Sequence, residues 1–143
     1  MILVDTGPLV ALFDPADTAH ASCVAMLQGF SEPLGTTVPV LGEAFHLLTP
    51  GSRGAANLVH FIADGGLTPC FLDAARLDRA FELMQQYADH PMDLADASLV
   101  AMAEAINVHK VATIDRRDFS AYRIRRGHRL RSFEVIEPRG GHR

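Results

Sequence analysis

Four acidic residues set far apart in this chain, Asp5, Glu43, Asp96 and Asp115, each stand where an apolar run stops or a helix begins. Carboxylates brought to one point repel one another and raise each other's pKa unless a cation neutralises them. Oxygen-only ligation favours hard ions such as Mg2+ or Mn2+ over zinc, and Mg2+ keeps several waters and shares its shell with phosphate oxygens. The pattern therefore points to one divalent-metal pocket.

Each acid taken alone also has a plain structural explanation. Asp5 suits the cap of a following helix. Asp93 and Asp96 have the spacing of an N-cap and its third helical residue. Asp115, in Thr113-Ile114-Asp115-Arg116-Arg117-Asp118, fits an ordinary strand-to-turn transition. Glu43 is harder to place, because it lies among Val38-Pro39-Val40-Leu41-Gly42 and Ala44-Phe45 with no nearby lysine or arginine. A carboxylate on a buried helix face needs a partner.

The elements that must position these acids follow from periodicity and breakers. Residues 2 to 5 read as a buried parallel strand, Gly7-Pro8 as a turn, and Leu9 to Phe13 as a short helix. A second helix runs from a cap at Asp17 or Thr18 to about Phe30, and Ser31 to Gly35 turns the chain. Thr36 to Pro39 is extended, and a helix from about Val40 to Leu48 carries Glu43 in its first turn. A helix over 53–63, a strand over 69–72 and a helix over 74–87 come next. Asp93 opens a helix to about Ile106. Residues 110–114 form a strand, 116–122 a short helix, and 133–136 a last strand.

Strands alternating with helices give an α/β fold, a three-layer α/β/α sandwich with a central parallel sheet of four to five strands. In such a sheet the ends of the strands where Asp5 and Asp115 fall share one edge, where ligands bind. The 143 residues suit a single domain over 1–137, with a flexible tail over 138–143.

An apolar fraction of 48% and a charged fraction of 21% are those of a globular protein, neither disordered nor fibrous. Cys23 and Cys70 are too far apart in sequence for a zinc knuckle or a redox dithiol. With no charged, apolar leader and no membrane-length apolar run, the expected location is the cytoplasm. The net charge of -4 conceals an asymmetry: residues 1–109 hold three arginines against thirteen acids, whereas residues 110–143 hold ten basic residues against four acids. Such a basic quarter often meets a polyanion. Its plain reading is that Arg123, Arg125, Arg126, Arg129 and Arg131 form a solvated strand and turn, or a docking surface for an acidic protein segment.

The order of motifs resembles a PIN-domain ribonuclease, and within that group the single-domain VapC toxins of type II toxin–antitoxin pairs. The resemblance rests on Asp5-Thr6 after an N-terminal strand, Glu43 at a helix start, Asp93-x-x-Asp96-Ala97 opening another helix, and Thr113-x-Asp115-x-x-Asp118-Phe119. It spans about residues 1–137. It implies that Asp5, Glu43, Asp96 and Asp115 are the catalytic acids, with Asp5, Asp96 and Asp115 holding Mg2+, for which Mn2+ may substitute, and Glu43 positioning the attacking water. Thr6, Asp93 and Thr113 would support them, and Asp118 is an alternative fourth acid.

The implied reaction is hydrolysis of an RNA phosphodiester, in tRNA or an rRNA loop, leaving a 5′-phosphate and a 3′-hydroxyl. Arg116, Arg117, Arg123, Arg125 and Arg126 would hold flanking phosphates. The resemblance also implies a cognate antitoxin protein and a homodimer. An antitoxin helix would find apolar groove residues among Leu9, Leu12, Phe13, Phe45, Leu47 and Leu48, most of which also suit the core. His46, on nearly the same helix face as Glu43, is left outside the site.

Other classes fit less well. Asp5-Thr6-Gly7 resembles an aspartic-protease signature, but that chemistry needs a second such Asp in an all-β fold. An aspartyl-nucleophile phosphatase wants a second Asp where Gly7 stands. An RNA-processing nuclease without an antitoxin, and a partner-binding module with little catalytic activity, are the remaining alternatives.

Overall fold

The computed structural model describes residues 1–139. Most of the expected tail, residues 140–143, lies outside the described residues. Ile2-Leu3-Val4 forms β1, wholly buried. Helix α1 (Thr6–Phe13) follows at once, capped by Asp5. Gly7 and Pro8 therefore sit in the first helical turn, where a missing N–H costs nothing, and not in a separate turn.

Helix α2 (His20–Gln28) begins later than expected. Asp17 is spent on a tight turn, its Oδ1 accepting from the Ala19 N–H at 2.8 Å. Strand β2 (Leu34–Thr37) takes in Leu34 and Gly35, which the sequence had suggested as turn. Gly35 passes so close to Met1 that a Cβ there would lie 2.6 Å from the Met1 Sδ.

Helix α3 (Val38–Leu48) starts two residues before the expected point, with Thr37 as N-cap and Pro39 in the first turn. Proline's fixed φ suits a helix start, so Val38-Pro39 is helical and not extended. Glu43 consequently falls in the second turn. Helix α4 (Arg53–Ala63), β3 (Thr68–Cys70) and α5 (Ala74–Gln86) come next. Helix α6 (Leu94–Ile106) leads to β4 (Lys110–Ala112) and α7 (Arg116–Ala121). A hairpin of β5 (Arg123–Arg126) and β6 (Arg129–Ser132) then precedes β7 (Glu134–Ile136).

The main sheet has five parallel strands in the order β3-β2-β1-β4-β7. It is flanked by helices as a three-layer α/β/α sandwich. The chain winds outward from β1 through β2 to β3, returns to place β4 on the other side of β1, and ends at β7. The direction of winding thus reverses between β1 and β4. In open parallel sheets that reversal leaves a crevice beyond the carboxyl ends of the strands, the usual place for a ligand.

Helix α6 is the axle of the core, with every residue from Ala97 to Ala103 buried. Its small side chains let neighbouring elements approach closely, and Asn107 ends it in the left-handed conformation, φ 57°. The first turn of α6 is tied to the start of α3 by the buried Thr37 and Ser98 hydroxyls, 2.6 Å apart. The Thr36 hydroxyl donates to the Val4 carbonyl at 2.7 Å. These bonds lock β1, β2, α3 and α6 together at the edge where the acids emerge.

The β5–β6 hairpin stands apart from the main sheet. Its turn is Gly127-His128, and Gly127 has φ 59°, the sign a two-residue II′-type hairpin turn demands of its first position.

Candidate active site

Asp5, at the end of β1, is held from two sides. Its Oδ1 accepts from the Thr6 N–H and its Oδ2 from the Thr113 hydroxyl, each at 2.8 Å. Thr6, itself buried, donates its hydroxyl to Glu43 Oε1 at 2.6 Å. Glu43 thus finds its partner across the crevice, and it is exposed rather than buried. Of its apolar neighbours in sequence, Val40 and Ala44 are buried in the core, while Val38 is exposed.

The Thr113 hydroxyl also accepts from the Asp115 N–H at 3.0 Å. Asp115 caps α7 by accepting from the Asp118 N–H at 3.3 Å. Asp118 accepts from His90 Nε2 at 2.7 Å. Its carbonyl receives the Tyr122 N–H at 3.2 Å, and the Tyr122 hydroxyl donates to Asp96 Oδ2 at 2.9 Å. Asp96 sits on the Asp93 cap, its N–H donating to Asp93 Oδ1 at 2.8 Å. One hydrogen-bonded path therefore runs from Glu43 through Asp5, Asp115, Asp118 and Tyr122 to Asp96 and Asp93.

Burial pushes the Asp5 carboxyl up to about 6, against the lowering effect of its two hydrogen bonds, with Glu43 adding a smaller like-charge push. Asp96 is pushed further, to about 7, first by burial, then by the charges of Asp5 and Asp93, with Asp118 adding a smaller share. Asp5 and Asp96 are therefore neighbours that resist ionising together. Among the described residues, no lysine or arginine pairs with Asp5, Glu43, Asp96 or Asp115.

The side chains as placed do not form a ready cage: among the described residues no three of His, Cys, Asp and Glu converge on one ion position. The core is the Asp5–Asp96 pair, and Asp115 faces solvent. That donor set still fits Mg2+, which is commonly held by one or two carboxylates, with waters and substrate phosphates completing the octahedron.

Two half-buried carboxylates, uncompensated among the described residues, at the reversal point of a parallel sheet narrow the fold families, and the sequence decides among them. The PIN domain pattern matches residues 2–125. The chain belongs to the PIN-domain family. Ribonuclease VapC26 of Mycobacterium tuberculosis is 28% identical over 124 residues, 85% of this chain and 92% of the relative. The fold resembles that of M. tuberculosis VapC20, a sarcin-ricin-loop-cleaving toxin, with a TM-score of 0.72 at 21% identity over 78% of this chain and 87% of that one. A toxin–antitoxin complex from Klebsiella pneumoniae gives 0.66 at 16% identity, over 85% and 92%.

The arginines of this PIN domain divide in a way their sequence does not show. Arg126 is committed to the fold: Nη2 donates to the Ala103 and Val108 carbonyls at 3.0 and 3.1 Å, and Nη1 to that of Glu104 at 3.3 Å. These bonds give Arg126 a structural role that its place in a run of arginines does not reveal, because an arginine near a helix C-terminus answers the orphan carbonyls there. Arg123 Nη1 donates to the Ser120 and Tyr122 carbonyls, and Arg116 pairs with Glu137 at 3.4 Å. Arg117 and Arg125 are exposed.

Of the expected groove residues, Leu9 and Leu48 are buried, while Leu12, Phe13 and Phe45 are partly buried against the core. Leu47 alone stands out, 56% exposed, on the same helix as the exposed Val38. A cavity of about 410 Å³ lies at the far end of α6, over the Arg79–Glu104 ion pair, and includes none of the acids. No helix among the described residues is long and apolar enough to cross a membrane.

Tyr122 and His90 escaped the sequence reading. Tyr122 is buried in a cluster of edge-on rings with Tyr87, His90 and Phe119. Nothing near it in sequence signals this, because its partner Asp96 is 26 positions away.

Proposed function

We propose that this PIN domain is a divalent-metal-dependent endoribonuclease, Mg2+ serving and Mn2+ substituting, that acts as the toxin of a toxin–antitoxin pair. The observation that carries the reading is the Asp5–Asp96 pair, two carboxylates pushed to about 6 and 7 with no cationic side chain among the described residues to neutralise them. Similarity to a ribonuclease over most of the chain supports it.

Asp5, Asp96 and Asp115 would hold the cation, and Glu43 would lie beside the attacking water. When bound, the cation supplies Lewis-acid polarisation of the phosphate and a lowered pKa for water. Glu43 is exposed and keeps one carboxylate oxygen outside its bond to Thr6, which supports a role in orienting that water and taking its proton. Attack at phosphorus breaks the bond to the 3′ oxygen, leaving a 3′-hydroxyl and a 5′-phosphate. Thr6 and Thr113 hold Glu43 and Asp5 in place, and Asp93 caps the helix that presents Asp96. The proposed substrate is tRNA or an rRNA loop. The exposed Leu47 on α3 offers an apolar contact for an antitoxin or a second copy of the chain.

The deciding experiment is cleavage of structured RNA by purified protein with Mg2+, Mn2+ or EDTA. Asp5→Asn and Asp96→Asn should abolish cleavage while leaving the circular dichroism spectrum intact. Undiminished cleavage by either variant would sink the assignment. Parallel Asp115→Asn and Asp118→Asn variants identify the fourth acid by the larger loss.

A further inference from the structure

Strand β6 is exposed at all four positions, Arg129 to Ser132, so it adds nothing to the core. An isolated two-stranded ribbon is marginal in water, and this one is anchored on one side only, by the buried Ile124 and the Arg126 clamp of β5. Its register also sets Arg126 directly across from Arg129, a like-charge pairing that weakens a ladder. Among the described residues, the guanidiniums of Arg125, Arg129 and Arg131 take part in no ion pair. An element that buries nothing and concentrates unneutralised cations is explained by a polyanion that covers it.

We propose that β6, through Arg129 and Arg131, is the principal RNA-backbone contact of this protein, displacing the role first expected of Arg123 and Arg126. The inference rests on the ribonuclease reading and makes it specific. The ribbon is rooted at the acids, because Tyr122, bonded to Asp96, immediately precedes Arg123. Four residues of strand carry it about 13 Å from that root. Arg129 and Arg131 point the same way about 6.6 Å apart, a separation comparable to that of successive phosphates on one RNA strand. Charge complementarity to a continuous phosphate chain, whose flanks could run from Asp96 along α6 to the ribbon tip beside its C-terminal end, favours RNA over an acidic protein segment. It also answers the repulsion that an acidic pocket imposes on a phosphate chain.

The test uses Arg129→Ala/Arg131→Ala, with Arg129→Gln/Arg131→Gln as a second version, in an Asp96→Asn background that binds without cutting. Fluorescence anisotropy with a labelled stem-loop RNA is read over a salt series. Loss of two phosphate contacts should weaken binding about tenfold at low salt and reduce the slope of log K against log salt by roughly 1.4 to 1.8. Arg53→Ala, on exposed α4, should leave both unchanged. In otherwise wild-type protein the double substitution should raise KM for the stem-loop and spare kcat.

RNA binding that is absent, or that survives both double variants with its salt slope intact, overturns the proposal. So does a ribbon that is needed for a poly-glutamate peptide and not for RNA. Ribbon-dependent RNA binding without Mg2+- or Mn2+-dependent cleavage by the wild-type chain would uphold this inference while refuting the nuclease reading.

Discussion

The Tyr122 hydroxyl donates to Asp96 Oδ2 at 2.9 Å and joins the root of the hairpin to the first turn of α6. Burial and the Asp96 charge push the phenol well above its ordinary pKa, so it is a fixed donor. One carboxylate oxygen is thereby occupied and the other left for a ligand. Outer hydrogen bonds of this kind tune metal ligands. Tyr122→Phe should lower Mn2+ affinity, measured by calorimetric titration, and cleavage rate by about 10- to 100-fold.

Asp5 and Asp96 set a pH dependence whose sign is opposite to that of most carboxylates. Their folded values, about 6 and about 7, lie above the ordinary carboxylate range. The folded chain therefore holds protons more tightly than the unfolded one. Stability from these groups is full below about pH 4 and is lost as pH rises through those folded values. In EDTA, the melting temperature should fall between about pH 5 and 7.5, and added Mg2+ should restore it. Asp96→Asn should flatten the decline and, at the upper pH in EDTA, stabilise the protein by about 1–2 kcal/mol, discounted for partial access of water. A decline as steep in this variant as in the parent would refute the account.

Glu43 is exposed and its one side-chain bond is to the Thr6 hydroxyl. A glutamine there still accepts that bond. Glu43→Gln should consequently keep the unfolding free energy within about 0.5 kcal/mol of the parent, the usual range for a surface change. Its cleavage rate should fall by at least about 100-fold, the lower range for loss of a proton acceptor. Calorimetry and initial rates measured on one preparation separate the two effects.

Arg126 clamps the C-terminal end of α6 by three carbonyls. Arg126→Ala should destabilise the domain by about 2–3 kcal/mol in urea unfolding, because charge-assisted bonds are lost and buried carbonyls are left unsatisfied. Lysine lacks the planar fork and should rescue less than half of that. Hydrogen exchange should rise first in the β5–β6 hairpin.

The parallel alternation of strands and helices, and the four acidic positions Asp5, Asp93, Asp96 and Asp115 at or beside element junctions, could be read from local pattern alone. Apolar runs such as Ile2-Leu3-Val4 and caps such as Asp93 act over a few residues. The failures came where distant contacts decide. Glu43 looked buried because its neighbours are apolar, yet its partner Thr6 lies 37 positions away. The bonds of Arg126 to carbonyls at the end of α6 are invisible in sequence, because the residue stands in a run of arginines and its partners lie 18 to 23 positions away. The start of α3 at Val38 was missed because Thr37, a good strand residue, is also a good N-cap.

The reversal of winding between β1 and β4 has a temporal meaning. Asp5 is made well before the strand that completes its side of the crevice, which begins at Lys110, and the tyrosine that holds Asp96 comes later still, at position 122. A growing chain, built from the N-terminus, carries the early half of the site through most of its synthesis without the late half. The fold thus orders its own assembly: until β4 inserts beside β1, Asp5 lacks the Thr113 hydroxyl that holds it.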